Sequence, residues 1–144
     1  MWKKLLFGLS LFAVSISFMG CAKMLGMEDK YEVKIENYKN GDTIRYDPYD
    51  NEIVFKAKVY RKTWVGFTVV MKDSKINWGR TVTKGSLICA FNGTTSSSDG
   101  RISPVLLINS GEGEVRISAS YNSMNDKSKY VSASSQIILK IEEK

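Results

Sequence analysis

From Tyr31 onward, apolar and polar residues alternate along the chain with a period of two. Tyr31-Glu32-Val33-Lys34-Ile35-Glu36 opens the pattern, and Thr43 to Tyr46 resumes it after the Asn40-Gly41-Asp42 turn. Asp47-Pro48-Tyr49-Asp50-Asn51 is a second turn cluster. Beyond it Ile53, Phe55, Ala57 and Val59 share one face, with Lys56, Lys58 and Tyr60 opposite. Strand-like runs follow at Trp64–Met71, Ile76–Val82, Ser86–Asn92, Ile102–Asn109, Glu114–Tyr121 and Tyr130–Ile141. Such alternation places one face of each strand in a core and the other in water. After the first thirty residues no stretch carries an apolar face with helical spacing. Short strands about ten residues apart, with turn signals between them, predict an all-β fold. The expectation is an immunoglobulin-like β-sandwich of about seven to nine mostly antiparallel strands over residues 31–144. A chain of this size buries a real core without metal or disulfides.

The beginning of the chain follows another pattern. Met1-Trp2-Lys3-Lys4 is basic, Leu5 to Met19 is almost wholly apolar, and Gly20-Cys21 ends the run. A short basic start and an apolar stretch of this length form a secretory signal. About 20 apolar residues are needed to cross a bilayer, more than this run supplies. The junction Phe18-Met19-Gly20-Cys21 resembles the bacterial lipobox, a small residue before an obligatory cysteine. That resemblance implies a signal peptide over 1–20, cleavage between Gly20 and Cys21, a diacylglyceryl thioether on Cys21 and acylation, commonly palmitate, of the new amino terminus. Phe18 and Met19 stand where Leu and a smaller residue are usual. The alternatives are an uncleaved anchor, or a plain signal peptide in which Cys21 is incidental. Residues 21–30 then form a short lipidated tether.

Charge and cysteine usage refine this picture. Lys3 and Lys4 fall in the leader, so the mature chain keeps a net charge of about +4, spread without a basic block. Nucleic acid is therefore not implied as a partner. With Cys21 acylated, Cys89 has no intrachain partner. It sits in the apolar run Leu87-Ile88-Cys89-Ala90-Phe91 and reads as a small buried hydrophobe.

A family resemblance emerges in the second half. Asp99-Gly100-Arg101-Ile102-Ser103-Pro104-Val105-Leu106-Leu107 is followed by Glu112-Gly113-Glu114-Val115-Arg116-Ile117-Ser118-Ala119-Ser120. This resembles bacterial immunoglobulin-like domains of the invasin and intimin type near their final strands. Ile53 to Tyr60 fits the second strand of such a domain. Arg61-Lys62-Thr63-Trp64 and the Asp73–Lys84 segment depart from the family pattern. The resemblance implies a spacer or adhesive module without catalytic residues of its own; it does not fix function.

The chain has no histidine, which removes the commonest general base, the Ser-His-Asp arrangement and the commonest zinc ligand. Asp47, Asp50 and Glu52 form the densest acid cluster. They read first as turn residues, with calcium coordination and a carboxylate pair for catalysis as alternatives. Tyr46, Tyr49, Trp64 and Trp78 lie in or beside turns and are the candidate partner-binding aromatics; the competing reading is that they cover core ends. Thr94–Ser98 reads as a mobile polar tip or a contact loop. Together these features predict a lipid-anchored envelope protein, non-enzymatic, acting as a binding or assembly module. Its expected contacts are a membrane through acyl chains and an envelope or extracellular protein. No small-molecule cofactor is expected beyond the covalent lipid. Ala22 after Cys21 favours the outer membrane in a Gram-negative cell, by resemblance to lipoprotein sorting signals. The rivals are an accessory subunit of an envelope secretion or transport complex, and a small carboxylate-dependent enzyme.

Overall fold

The computed structural model describes residues 28–72, 74–97, 103–124 and 129–144. The leader, Gly20, Cys21 and most of the tether lie outside these residues, as do Asp99 to Ile102 of the immunoglobulin-like motif. What is described is all-β and forms a sandwich. Eleven strands are present: β1 (Lys30–Ile35), β2 (Thr43–Tyr46), β3 (Glu52–Val54), β4 (Ala57–Lys62), β5 (Thr68–Met71), β6 (Lys75–Gly85), β7 (Ile88–Asn92), β8 (Thr95–Ser97), β9 (Val105–Ser110), β10 (Gly113–Met124) and β11 (Tyr130–Glu143).

One layer is the five-stranded sheet β2-β11-β10-β6-β8. The other consists of two three-stranded pieces, β1-β4-β5 and β3-β9-β7. All pairings are antiparallel except β2 with β11, which run parallel with Ile44 opposite Ile141. The two pieces of the second layer share one bent run, β3 and β4, broken at Phe55-Lys56. Before the break it pairs with β9, and after it with β1 and β5. This break and the short extra strand β8 raise the count above the seven to nine expected.

The alternating residues do what the pattern predicts. Val33, Ile35, Ile53, Phe55, Val59, Ile76, Leu106, Ile108, Val115, Ile117, Leu139 and Ile141 are buried between the layers, and none of the described buried side-chain polar atoms lacks a partner. Phe55 is fully buried and packs its ring against Trp78 at 5.5 Å, Phe91 at 5.9 Å and Tyr38 at 5.3 Å between centroids. Rings at such separations attract beyond their buried area.

The chain changes layers between β1 and β2, and asparagine side chains fasten that crossover. Asn37 fills the gap left by the β3–β4 break. Its Nδ2 donates to Val54 O at 2.6 Å, and its Oδ1 accepts from Lys56 N at 3.0 Å. Asn40 Oδ1 accepts from Ile138 N at 2.7 Å, and Gly41 N donates to Ile138 O at 2.7 Å. The first pair joins the crossover to one layer and the second pair to the other. An amide side chain can stand in for a missing strand because it carries both a donor and an acceptor.

Candidate functional site

The strands run lengthwise, so the sandwich has two ends with different residues. β11 alone has fourteen residues, which at about 3.3 Å each separates the ends by roughly 45 Å. Glu28, Asp29 and the start of β1 define the entry end. There Lys30 pairs with Lys62 at the end of β4, and Met124 pairs with Tyr130 where β10 turns into β11. Tyr46, Gly111, Glu112 and the end of β11 define the far end.

At the entry end a hairpin joins β4 to β5. Gly66 N donates to Thr63 O at 2.9 Å, and Thr63 N donates to Phe67 O at 2.8 Å. Phe67 N also donates to Thr63 Oγ1 at 3.0 Å. This is a three-residue loop of Trp64, Val65 and Gly66. Gly66 has φ +99°, the left-handed conformation in which such loops close and which a Cβ disfavours. The hairpin is well ordered by hydrogen bonds, yet its apolar side chains face outward. Trp64 is 60% exposed, Val65 56% and Phe67 69%. Val69 and Val70 follow on β5 and are also exposed, although neighbouring strand residues point to opposite faces. Met124 and Tyr130 lie exposed on the adjoining hairpin. Thr63 to Met71 contains no charged residue, and Lys62 and Lys72 bracket it.

Asp29 ties the entering chain to this hairpin. Its carboxylate accepts from Arg61 Nε at 2.6 Å, forms an ion pair with the same guanidinium, and accepts from Trp64 N at 3.2 Å. Glu28 pairs with Lys129 beside the β10–β11 turn. The first described residues are thus fastened to both hairpins of the entry end.

The far end is built from polar contacts. Tyr46 Oη donates to Gly111 O at 2.7 Å. Burial raises the Tyr46 hydroxyl above its ordinary pKa, and the Glu143 and Glu112 carboxylates add to the effect. Glu112 Oε1 accepts from Glu143 N at 3.0 Å, and Lys144 N donates to Tyr46 O at 2.9 Å. Backbones approach so closely at this corner that a Cβ on Gly111 would lie 2.3 Å from Ser86 O.

These facts sort the predicted site residues. Tyr49 is 99% exposed at the far end and Trp64 is exposed at the entry end, so both present aromatic surface. The two sit at opposite ends and share no site. Tyr46 and Trp78 are not exposed partner aromatics; both are buried and fit the competing reading, that they cover the core. Tyr46 is drawn inward by its hydrogen bond to Gly111. Trp78 is buried among Phe55 and Phe91, with Nε1 donating to Ser96 Oγ at 2.6 Å. The Thr94–Ser98 reading is corrected over its described residues: Thr95–Ser97 is strand β8, paired with Lys75–Asn77 on β6, with Ser96 buried within it, whereas Ser98 lies outside the described residues.

Asp47 and Asp50 form a local turn. Asp47 Oδ1 accepts from Tyr49 N at 2.8 Å and from Asp50 N at 2.9 Å, an Asx arrangement. Lys144 Nζ lies 3.7 Å from Asp47 and 3.6 Å from Asp50. A lysine ammonium therefore occupies the space beside these carboxylates, and Glu52 is an exposed residue of β3. The described residues hold no group of three side chains suited to a metal. Cys89 is buried on β7. Burial pushes its thiol above the ordinary value, against the opposing pull of Arg80.

Sequence reasoning missed Val65, Phe67, Val69, Val70, Met124 and Tyr130 as surface features. The available signal was a break in alternation: Trp64-Val65 and Val69-Val70 are apolar neighbours on a strand-turn-strand segment without charge. Comparison with protein-family models, with curated proteins and with solved structures finds no match.

Proposed function

We propose that this chain is a lipid-anchored protein of the bacterial cell envelope whose sandwich, similar to the invasin and intimin type, is a non-catalytic binding or assembly module. The leader ending in Gly20-Cys21 supports the anchor, and the palmitate-bearing Cys21 would be the first residue of the mature chain. One observation supports the binding role above the others: the far end carries Tyr49 wholly exposed on a turn held by Asp47. An aromatic side chain held out on an ordered backbone loses little freedom when a partner covers it. The anchor enters at the opposite end, so this turn faces away from the bilayer, toward an envelope or extracellular protein.

The outer membrane is the favoured location in a Gram-negative cell, on the strength of Ala22. A second reading, an accessory subunit of a secretion or transport complex, draws support from the tether. Residues 21–30 reach only about 35 Å when fully extended, which favours partners in or on the same membrane. The acids at 47–52 give less support to an enzyme. Asp47 spends one oxygen on two backbone N–H groups, and Lys144 faces the pair.

Photocrosslinking in intact cells tests the binding role. A photoreactive residue at Tyr49 is expected to capture one discrete protein partner, and the same residue at Lys56 on the flank of the sandwich is not. Equal, diffuse labelling from both positions would refute the partner-facing turn.

A further inference from the structure

We propose that the tip of the β4–β5 hairpin, Trp64-Val65-Gly66-Phe67, is a second membrane contact, seated at the boundary between headgroups and acyl chains of the bilayer that holds Cys21. The proposal rests on the lipid-anchor reading above and adds a surface to it.

Position comes first. Asp29 bonds the Trp64 backbone and the Arg61 side chain, so the entering chain is fixed beside the tip. Only seven residues, 22–28, separate Asp29 from Cys21. Fully extended they carry the chain roughly 30 Å, and any slack brings the entry end closer to the bilayer. The end that meets the lipid first is therefore the one bearing Trp64, Val65 and Phe67. Met124 and Tyr130 widen the same apolar end from the neighbouring hairpin.

Chemistry comes next. The tip offers two aromatics and an aliphatic side chain on a charge-free segment, with Lys62 and Lys72 behind it. Tryptophan is enriched where a bilayer meets water, because its ring is apolar and its N–H is polar. Lys62 pairs with Glu32 at 3.3 Å, so Lys72 is the lysine set back from the apolar tip that suits an anionic headgroup. The Thr63 and Phe67 backbone groups and the Gly66 N–H, which close the loop, already have partners within the hairpin, and Trp64 N–H has one in Asp29. Seating the tip in lipid therefore covers side chains without stranding those backbone groups, which a bilayer would penalise heavily.

The acyl chains alone hold the protein to the membrane. The tip would instead set its orientation, standing the sandwich on end so that Tyr49 points outward. Without the tip the domain would swing freely about the tether.

The test uses the mature, acylated protein in vesicles of phosphatidylethanolamine and phosphatidylglycerol. Mass spectrometry of the amino-terminal peptide first checks for acyl groups on Cys21; their absence would overturn the anchor reading and this proposal together. With the anchor established, fluorescence reports the tip. Trp2 belongs to the leader, and Trp78 is buried, so the W64F variant supplies the constant Trp78 background. Trp64 emission is expected to shift to shorter wavelength, to lose most of its iodide quenching relative to lipid-free protein expressed without residues 1–20 and with Cys21→Ser, and to be quenched by brominated acyl chains. Val65→Ser with Phe67→Ser is expected to restore iodide access while leaving the protein on the vesicles. Iodide access on vesicles equal to that of lipid-free protein would overturn the tip contact and leave the anchor intact. In cells, a photoreactive residue at Val65 is expected to give lipid adducts; a discrete protein adduct instead would overturn the proposal in favour of a protein-binding tip.

Discussion

At the entry end of the sandwich Trp64 stands 60% exposed, its backbone held by Asp29 while its ring touches solvent. At the far end Tyr46 is 5% exposed, its hydroxyl bonded to Gly111 in a corner where two backbone segments, 84–87 and 111–113, nearly touch. Both residues lie where strands give way to turns, and both are aromatics beside charged neighbours. The difference lies in what stands opposite. Across from Tyr46 is a carbonyl it can reach, and the burial that results closes the sandwich. Among the described residues Trp64 meets no such closure, and its side chain stays largely exposed. One end is completed by its own chain, whereas the described residues of the other leave apolar side chains exposed beside Asp29. Apolar exposure on that open end is thus concentrated and ordered, which is how surfaces intended for contact differ from scattered hydrophobic residues.

Substitutions can break this contrast, and the largest effect belongs to the closed end. Gly111→Ala would place a Cβ against Ser86 O and hold alanine at φ +84°. It is expected to cost roughly 3 kcal/mol or more, measured as a lower denaturation midpoint. An unchanged midpoint would mean that the corner is not closed as described. Asn37→Ala removes the amide that bridges Val54 and Lys56. An expected loss of about 1 kcal/mol follows from trading two solvent-accessible hydrogen bonds for bonds to water; an unchanged midpoint would show that the amide does not fasten the crossover.

Tyr46→Phe gives an effect of similar size with a pH signature. Losing the hydroxyl bond is expected to cost about 1 kcal/mol at neutral pH. The native hydroxyl also titrates above its unfolded value near 10.0. As pH rises past that value the unfolded chain releases the proton before the folded one does. Stability contributed by the raised pKa is therefore complete below pH 10 and falls as pH climbs toward the folded value. The Phe variant should lose that part of the alkaline slope, and an identical slope would assign it to other groups. The smallest effect belongs to the open end. Trp64→Ser is expected to change stability by less than about 0.5 kcal/mol, since the ring packs on little. A loss above 2 kcal/mol would reveal packing that the exposed ring does not suggest.

Much of the fold could be read from the residues because alternation is a direct imprint of a two-layer core. Val115, Ile117, Leu139 and Ile141 were legible as inward residues for that reason, and all are buried. What was hidden depends on contacts distant in sequence. Trp78 looks like a turn aromatic until Ser96, eighteen residues on, supplies its acceptor. Ser96 itself looks like part of a polar loop until β6 offers it an edge to pair with. The β3–β4 break has no mark in Ile53-Val54-Phe55-Lys56-Ala57, where alternation runs straight through; the cause lies in the exchange of neighbours from β9 to β1. Tyr49 and Trp64 were found as candidates from their turn settings, but their separation by the length of β11 required the register of the strands. The hairpin tip was the least legible feature. Apolar neighbours without alternation are equally consistent with a buried strand, and only the missing opposite layer distinguishes the two.

The asparagine-fastened crossover bears on how the domain withstands force. If the proposed anchor holds the chain by its amino-terminal segment, tension through that segment would pull on β1 along its own length. Its ladder with β4 would then be loaded in shear, so that bonds from Lys30 to Ile35 share the strain and do not open one after another. Beyond Ile35 the load meets Asn37, held to one layer, and then Asn40 and Gly41, held to the other. Pulling the first strand free must therefore part both layers at once. The crossover acts as a mechanical clasp, resisting extraction of the sandwich by its own leash.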